Sequence, residues 1–551
     1  MAEYLELVRV VIEERASADT TIFQKQCICL SPRLSWRKLR KTFDCFPRNL
    51  SNFQPTTWSM FRQIFKERVQ TLRRQRESAA RSAEPNILSL NEIQCSQLWG
   101  FIRKVYDYMS STKYTEVHRE VFREFHVLVT RANSGFVQQF TSVQSRLQAA
   151  IFQGNQRLAF EELIVALQTC VSVFDEIIIP VEPSATIWKE AVDMESAAKT
   201  DAINLRSSIE DVLARPALGE DERILAHYLL ERVSNSDNHE DVDLPEFFIA
   251  KGAYPTEGKQ IDKGASGEVL KVKWLGMTCA KKVYPDVTDN QGSMQKECTK
   301  EVRIMAKLNH HRIVKLLCTS DPPENSLSFL MEFMPMSLYK FIEERRKHHK
   351  GGILPAAAID IMFQISQGIE YLHDEDIVHR DVKSPNVLVS PSASKKLRDE
   401  GYVGDVKMTD FGLAWKASGL AKPSQEKMGT TCWMAPEVFA GDELVDWKKA
   451  DAYSFAMTCT EILTGDTPFH SDRPRPRSEL KTRITNGERP ILPSSCPEAL
   501  VSLLKLCWAT TPTDRPCFSQ IREELTSIKR YLLTGSLKWP NLDYRTLNHA
   551  L

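Results

Sequence analysis

What this chain of 551 residues lacks narrows its identity at once. It has no net charge, because 72 Lys and Arg stand against 72 Asp and Glu. A surface that binds polyanions over its whole extent is thereby excluded, although local patches are not. Cysteine pairing is also missing: the 13 cysteines include no C-x-x-C, and only Cys27 and Cys29 stand close together. The sequence therefore predicts reduced, mostly buried thiols, with neither a disulfide framework nor a zinc site. No uncharged apolar run approaches the ~18 residues that span a bilayer, and Met1 to Glu6 carries acids where a secretory leader carries bases. With 22 Gly and 27 Pro the composition is that of an ordinary globular protein. A cytoplasmic protein is expected, with more than one folding unit at roughly 150 residues each.

Two textures divide what is present. Up to about Val233 the pattern is helical. Leu98, Ile102, Val105 and Met109 form one stripe at spacings of three and four; Phe136, Phe140, Val143 and Leu147 form another. The longest runs through Phe160, Leu163, Leu167, Cys170, Phe174 and Ile177. Such spacing puts the side chains on one helix face, which must be buried against a neighbour. Turn signals at Ser31-Pro32, Asn133-Ser134-Gly135, Gln153-Gly154-Asn155 and Pro180 to Pro183 separate the helices, and a further helical stretch runs from about Ala185 to Leu213. The prediction is an all-α helical bundle over residues 1–233, regulatory or docking in role. An acidic linker, 234–250, follows, where turn formers and acids from Ser234 to Asp243 show no periodicity.

Beyond the linker come short β-branched runs and glycine turns. Gly264 and Gly267, three apart in a strand-turn-strand, let backbone amides approach phosphate oxygens. Alone, that pair is as readily a plain hairpin. Lys282 in the strand Cys279 to Val283, and Glu301 in a helical segment nineteen residues on, would by themselves be an inconsequential surface pair. The next segments change their meaning: His379-Arg380-Asp381 with Lys383 and Asn386, then Asp410-Phe411-Gly412, then Trp433-Met434-Ala435-Pro436-Glu437.

In this order these segments resemble the eukaryotic protein kinase family, with H-R-D-x-x-x-x-N, D-F-G and A-P-E intact. Cys507-Trp508, Asp514-Arg515-Pro516 and Phe518 are similar to the tyrosine-kinase-like group, Raf-like or mixed-lineage-like Ser/Thr kinases, of plant type. The resemblance implies an α+β bilobal protein kinase fold over 251–535, with an N-lobe at about 254–334, a C-lobe at about 335–535 and a tail at 536–551, all preceded by the helical bundle domain. It implies ATP with Mg2+, or Mn2+ in its place, and protein serine or threonine acceptors in intracellular signalling.

The family also implies roles. Lys282 would hold the α- and β-phosphates and Glu301 would fix Lys282. Asn386 and Asp410 would bind the metal, Asp381 would take or orient the acceptor proton, and Lys383 would neutralise the γ-phosphate. Thr430 corresponds to the threonine that contacts the catalytic Asp and Lys in Ser/Thr kinases. The nucleotide would lie among Ile261, Gly264, Ala265, Ser266, Gly267, Val269 and Ala280 above and Leu388 below. Met331 would close the back, and the backbone from Glu332 to Met334 would meet the adenine edge. These apolar positions would be core in any fold. Glu437 and Arg515 are expected as a buried structural pair, with Asp451 also structural. Ser418, Ser424 and Thr431 are phosphosite candidates for Arg380 to face. One position departs from G-x-G-x-x-G: Asp262 replaces the first glycine, where an acid stiffens the turn or weakens nucleotide binding. Residues 391–405 read as a polar hairpin extension without an assigned role.

Neutrality conceals one local imbalance. From Arg33 to Arg81 there are 13 basic and 3 acidic residues, 13 − 3 = +10. This stretch is either a solvated basic face over a bundle core or a surface for anionic membrane or an acidic partner, which would place the protein peripherally at a membrane. No nucleic-acid partner and no transmembrane segment are expected. The acidic remainder permits electrostatic docking of one half on the other. The competing function is a signalling scaffold whose kinase-like domain transfers phosphate poorly while the bundle binds membrane or partner proteins.

Overall fold

The computed structural model describes residues 90–540 except 112–118, 137–142, 154–155, 178–192, 235–253, 265–266, 286–292, 321–326, 348–352, 418–430, 442–444 and 470–475. The basic stretch Arg33–Arg81, the linker after Ser234, Ala265, Ser266, Ser418, Ser424, Thr430 and the tail beyond 540 lie outside the described residues.

Apolar stripes produce the first six helices: α1 Glu92–Ser111, α2 Arg119–Phe136, α3 Val143–Gln153, α4 Arg157–Ile177, α5 Met194–Leu213 and α6 Glu220–Ser234. Leu98, Ile102, Val105 and Met109 of α1 are wholly buried, and so are Phe160 and Phe174 of α4. The start of α1 is capped from a distance, since the Asp201 carboxylate on α5 accepts the amides of Ile93 at 3.0 Å and Gln94 at 2.9 Å. One predicted stripe is corrected. Phe136 and Val143 belong to different helices, and Asn133-Ser134-Gly135 lies inside the last turn of α2, where the Ser134 hydroxyl donates back to Thr130 O at 2.9 Å. A serine that bonds into its own helix does not interrupt it.

A five-stranded sheet follows in the order β1 Lys259–Gly264, β2 Gly267–Trp274, β3 Met277–Val283, β5 Ser328–Glu332, β4 Leu316–Thr319, with α7 Ser293–Lys307 between β3 and β4. Its registers are antiparallel throughout, setting Val269 opposite Lys282 and Ala280 opposite Met331. The second lobe is mostly helical: β6 Met336–Ser337, α8 Leu338–Lys347, α9 Pro355–Asp374, β7 Ile377–Val378, β8 Val387–Pro391, α10 Lys395–Asp399, β9 Val403–Met408 and β10 Trp415–Lys416. It continues with α11 Pro436–Ala440, α12 Trp447–Thr464, α13 Arg477–Thr485, α14 Glu498–Cys507 and α15 Phe518–Leu533. Helix α9 is buried almost all round, its buried polar side chains Asp360, Gln364 and Gln367 included, and lies in the core.

The amino-terminal helices are bound into both lobes. The dry contact with the sheet is made by Leu147, Ile151, Ile209, Leu225, Tyr228 and Leu229, which share one core with Trp274, Met277, Cys279, Leu317 and Leu330. Tyr228 meets Trp274 edge to face at 5.7 Å and donates its hydroxyl to Leu317 O at 2.6 Å. Against the helical lobe the contacts are mainly ionic: Arg131 with Asp360, Lys529 with Glu124 at 2.6 Å and Arg530 with Glu176 at 2.7 Å. Both signs occur on both sides of this contact; the docking expected of the basic stretch Arg33–Arg81 lies outside the described residues.

The 391–405 segment is also more than a polar hairpin. It contains α10, buries Leu397 and Tyr402, and meets α2: Arg123 approaches Glu400 at 3.7 Å, and Arg131 donates to Gly404 O at 3.2 Å and Val403 O at 3.3 Å.

Candidate active site

The turn between β1 and β2 is built around Gly267, whose φ of +125° no L side chain adopts comfortably. A Cβ there would stand 2.1 Å from Val283 O, so the glycine also permits close passage of β3. A Cβ on Gly264 would meet open space. Asp262, at the departure from G-x-G-x-x-G, is exposed within β1 opposite Val269, and its carboxylate accepts the Lys263 amide at 3.0 Å. Ile261 O accepts the Lys340 ammonium of α8 at 3.1 Å.

Strand β3 and helix α7 bring Lys282 and Glu301 together across a buried gap. The ammonium bonds both Glu301 oxygens, at 2.9 and 2.7 Å, and Asp410 Oδ1 at 2.7 Å. Burial by itself disfavours the Lys282 charge, but Glu301 and Asp410 outweigh it and raise its pKa. Asp410 is lowered despite its burial, chiefly by Lys282. Glu301 also accepts the Phe411 amide at 3.1 Å and the Tyr284 hydroxyl. Tyr284 belongs to this site and was not singled out in the sequence; one tyrosine after a strand has no distinguishing spacing. Burial, reinforced by Glu301, keeps its phenol protonated.

The H-R-D segment leaves β7 through Arg380, at φ +68°, and re-enters order in a single tight turn, Ser384–Asn386. Asp381 Oδ2 receives Lys383 Nζ at 2.6 Å and Asn386 Nδ2 at 3.0 Å. Asn386 O accepts the Thr409 amide at 3.0 Å, tying this loop to the residue before Asp410, itself at φ +64°. Two non-glycine residues in the left-handed region at one site mark backbone held by its surroundings. The holder is Asp451, wholly buried, which accepts the amides of His379 and Arg380, each at 2.9 Å, and faces His373 Nε2 at 3.0 Å. These contacts keep Asp451 ionised although burial opposes it.

Glu461 is a second such support that sequence reasoning missed. It accepts Ser384 Oγ at 2.6 Å and Trp433 Nε1 at 2.8 Å, and burial pushes its pKa up to about 7. Arg515 forms the expected bidentate pair with Glu437, at 2.6 and 2.7 Å, both residues buried.

Of the expected nucleotide pocket, Ala280, Met331 and Met334 are buried, with Val269 and Leu388 half-buried against the same core. The Glu332 side chain turns away to Lys407, at 2.6 and 2.8 Å, leaving its backbone as the part available to a ligand. Thr431 begins the tight turn ending at Trp433.

Comparison with known proteins gives the same answer as this geometry. Residues 256–525 match the family described as protein tyrosine and serine/threonine kinase. The chain is 32% identical over 379 residues to a light-sensor protein kinase of Ceratodon purpureus, covering 63% of this chain and 28% of that one. It is 30% identical over 326 residues to the serine/threonine-protein kinase VIK of Arabidopsis thaliana, covering 56% of this chain and 70% of that one. The chain thus spans less than a third of the moss protein and about two thirds of the Arabidopsis one. Among the described residues no helix is long and apolar enough to cross a membrane. The chain belongs to the protein tyrosine and serine/threonine kinase family.

Proposed function

We propose that this chain is an ATP- and Mg2+-dependent protein serine/threonine kinase, passing the γ-phosphate of ATP to protein hydroxyls in intracellular signalling. The observation that carries this reading is the convergence of Asp381, Lys383 and Asn386 with the Lys282–Glu301–Asp410 cluster. The donor set suits a hard cation. Asn386 uses Nδ2 for its bonds to Asp381, so its Oδ1, with the carboxylate of Asp410, offers oxygen ligands of the kind Mg2+ prefers and Mn2+ also accepts. Held by Asn386 and Asp410, such a cation would neutralise phosphate charge.

Lys282, held in place by Glu301, binds and orients the α- and β-phosphates. Asp381 accepts the hydrogen bond of the serine or threonine hydroxyl and aligns its oxygen on the γ-phosphorus. As the new O–P bond forms, the bond to the β-phosphate oxygen breaks, ADP leaves, and the hydroxyl proton passes to Asp381 and then to solvent. Lys383 balances charge on the transferred group. Thr430 completes the acceptor site in this reading. A phosphate on Ser418, Ser424 or Thr431 would face Arg380, which has no carboxylate at ion-pair distance among the described residues. Its guanidinium rests 4.1 Å from the Trp447 ring centre and donates to Leu413 O at 3.3 Å.

The test is phosphate incorporation by the full chain with Mg2+-ATP, followed by phosphoamino-acid analysis. Phosphoserine or phosphothreonine is expected, lost in Asp381→Asn and in Lys282→Met. Folded wild type incorporating no more than these variants would overturn the proposal, and phosphotyrosine alone would overturn the acceptor class.

A further inference from the structure

A carboxylate of the amino-terminal helices reaches the loop before β4, whose backbone pairs with Met408 at the end of β9, two residues before Asp410. Glu162 on α4 lies at the wall of a cavity of about 340 Å³ between these helices and the two lobes. Its Oε2 accepts Arg312 Nη2 at 3.2 Å and lies 2.8 Å from His311 Nε2. Arg312 belongs to the loop between α7 and β4, the loop into which the helix carrying Glu301 runs. The rest of its guanidinium is held by α9, through Gln364 Oε1 at 2.6 Å and Gln367 Oε1 at 3.1 Å. Both glutamines are neutral. The other acid near Arg312, Asp405, is exposed and 3.9 Å away, so Glu162 is the principal counter-charge of a buried cation.

The backbone of Arg312 passes this restraint forward. Met408 N donates to Arg312 O at 2.8 Å and Val314 N donates to Met408 O at 3.0 Å. Met408 ends β9, two residues before Asp410. Helix α9 packs closely on both residues: a Cβ on Gly368 would stand 3.0 Å from Met408 Cγ and 3.2 Å from Arg312 O. The two backbone hydrogen bonds couple a shift of Arg312 to Met408.

We propose that Glu162 is a positioning residue for phosphoryl transfer, by which helix α4 fixes, through Arg312 and Met408, the strand that presents Asp410. The inference rests on the kinase reading above and extends it to a control point outside the cleft. Glu162, His310 and His311 lie close enough to share a cation, but Glu162 Oε2 is here taken by Arg312 and His311. Burial would raise the Glu162 pKa, but Arg312 and His311 hold it at about 2, so the anion persists at neutral pH.

Three variants of the full chain test this. Glu162→Ala removes the anion, Glu162→Gln keeps an acceptor for Arg312, and Glu176→Ala breaks a different ion pair of the same helix, with Arg530 of α15. Expected for Glu162→Ala is a roughly tenfold fall in kcat with a raised Mg2+ requirement, the protein substrate KM unchanged, and faster amide exchange over residues 403–411. Glu162→Gln should fall between it and wild type. Glu176→Ala should leave the Mg2+ requirement and exchange over 403–411 at wild-type values. Equal shifts in Glu176→Ala and Glu162→Ala, or wild-type exchange and Mg2+ dependence in Glu162→Ala, would overturn the inference. Should wild type transfer no phosphate, the kinase reading fails, while exchange over 403–411 still decides whether Glu162 holds this strand.

Discussion

The amino-terminal helices meet the sheet lobe and the helical lobe by different physics. Against the sheet, Tyr228, Leu225 and Leu229 enclose Trp274, Met277 and Leu330 in one apolar core, with the Tyr228 hydroxyl satisfied by Leu317 O. Against the helical lobe, Arg131, Glu124 and Glu176 meet Asp360, Lys529 and Arg530, with an apolar share from Val127, buried in the core of the lobes, and Leu533, packed with α1, α2 and α4. The first contact draws its stability chiefly from area removed from water. The second depends on the ionisation of its members. One side serves as a fixed anchor and the other as a contact that solution conditions can tune.

The difference can be broken from either side. The largest effect is expected from Trp274→Ala, which empties the centre of the dry contact and should cost about 3–5 kcal/mol in urea unfolding. A loss below about 1 kcal/mol would show that the sheet does not need its helical cover. Next comes pH. Burial, and then Lys396, pushes His126 of α2 down to about 4, below the ~6.5 of an unfolded histidine. The unfolded chain then binds the proton first, so stability falls as pH drops from about 6.5 to about 4, by roughly 3 kcal/mol. Unfolding midpoints should decline across that window, and His126→Gln should flatten the decline; an unchanged slope would assign it elsewhere. Tyr228→Phe, which leaves Leu317 O without its donor, should cost about 1–2 kcal/mol at every pH. The smallest effect is salt on the half-exposed Arg530–Glu176 pair, where Glu176→Gln should change stability by less than about 1 kcal/mol at low salt and by nothing measurable at about 1 M.

Legibility in the sequence follows how locally each feature is encoded. The catalytic segments were readable because H-R-D, D-F-G and A-P-E place several chemical groups within a few residues; the structure joins Lys282, Glu301 and Asp410 in one cluster and Asp381, Lys383 and Asn386 in another, tied by the Thr409 amide to Asn386 O. The stripes of α1 and α4 were readable for the same reason, since a helix face is a local pattern. Phe136 and Leu147 fall on two different helices, which apolar spacing alone does not distinguish. Glu162 and Arg312 were invisible: partners 150 positions apart leave no mark on their neighbours. Tyr402 and Leu397 were hidden among the charges of residues 395–400, where burial depends on α2 arriving from elsewhere.

The dry contact has a consequence for how the chain behaves when cut. A protease acting between residues 235 and 253 would sever the covalent path from helix to sheet and leave the apolar seam of Tyr228 and Trp274 intact. The two pieces would stay together as a nicked but assembled protein, eluting as one species and separating only in denaturant. Limited digestion followed by gel filtration would therefore report a whole molecule where electrophoresis reports two fragments, and the catalytic half would not be released by cleavage alone.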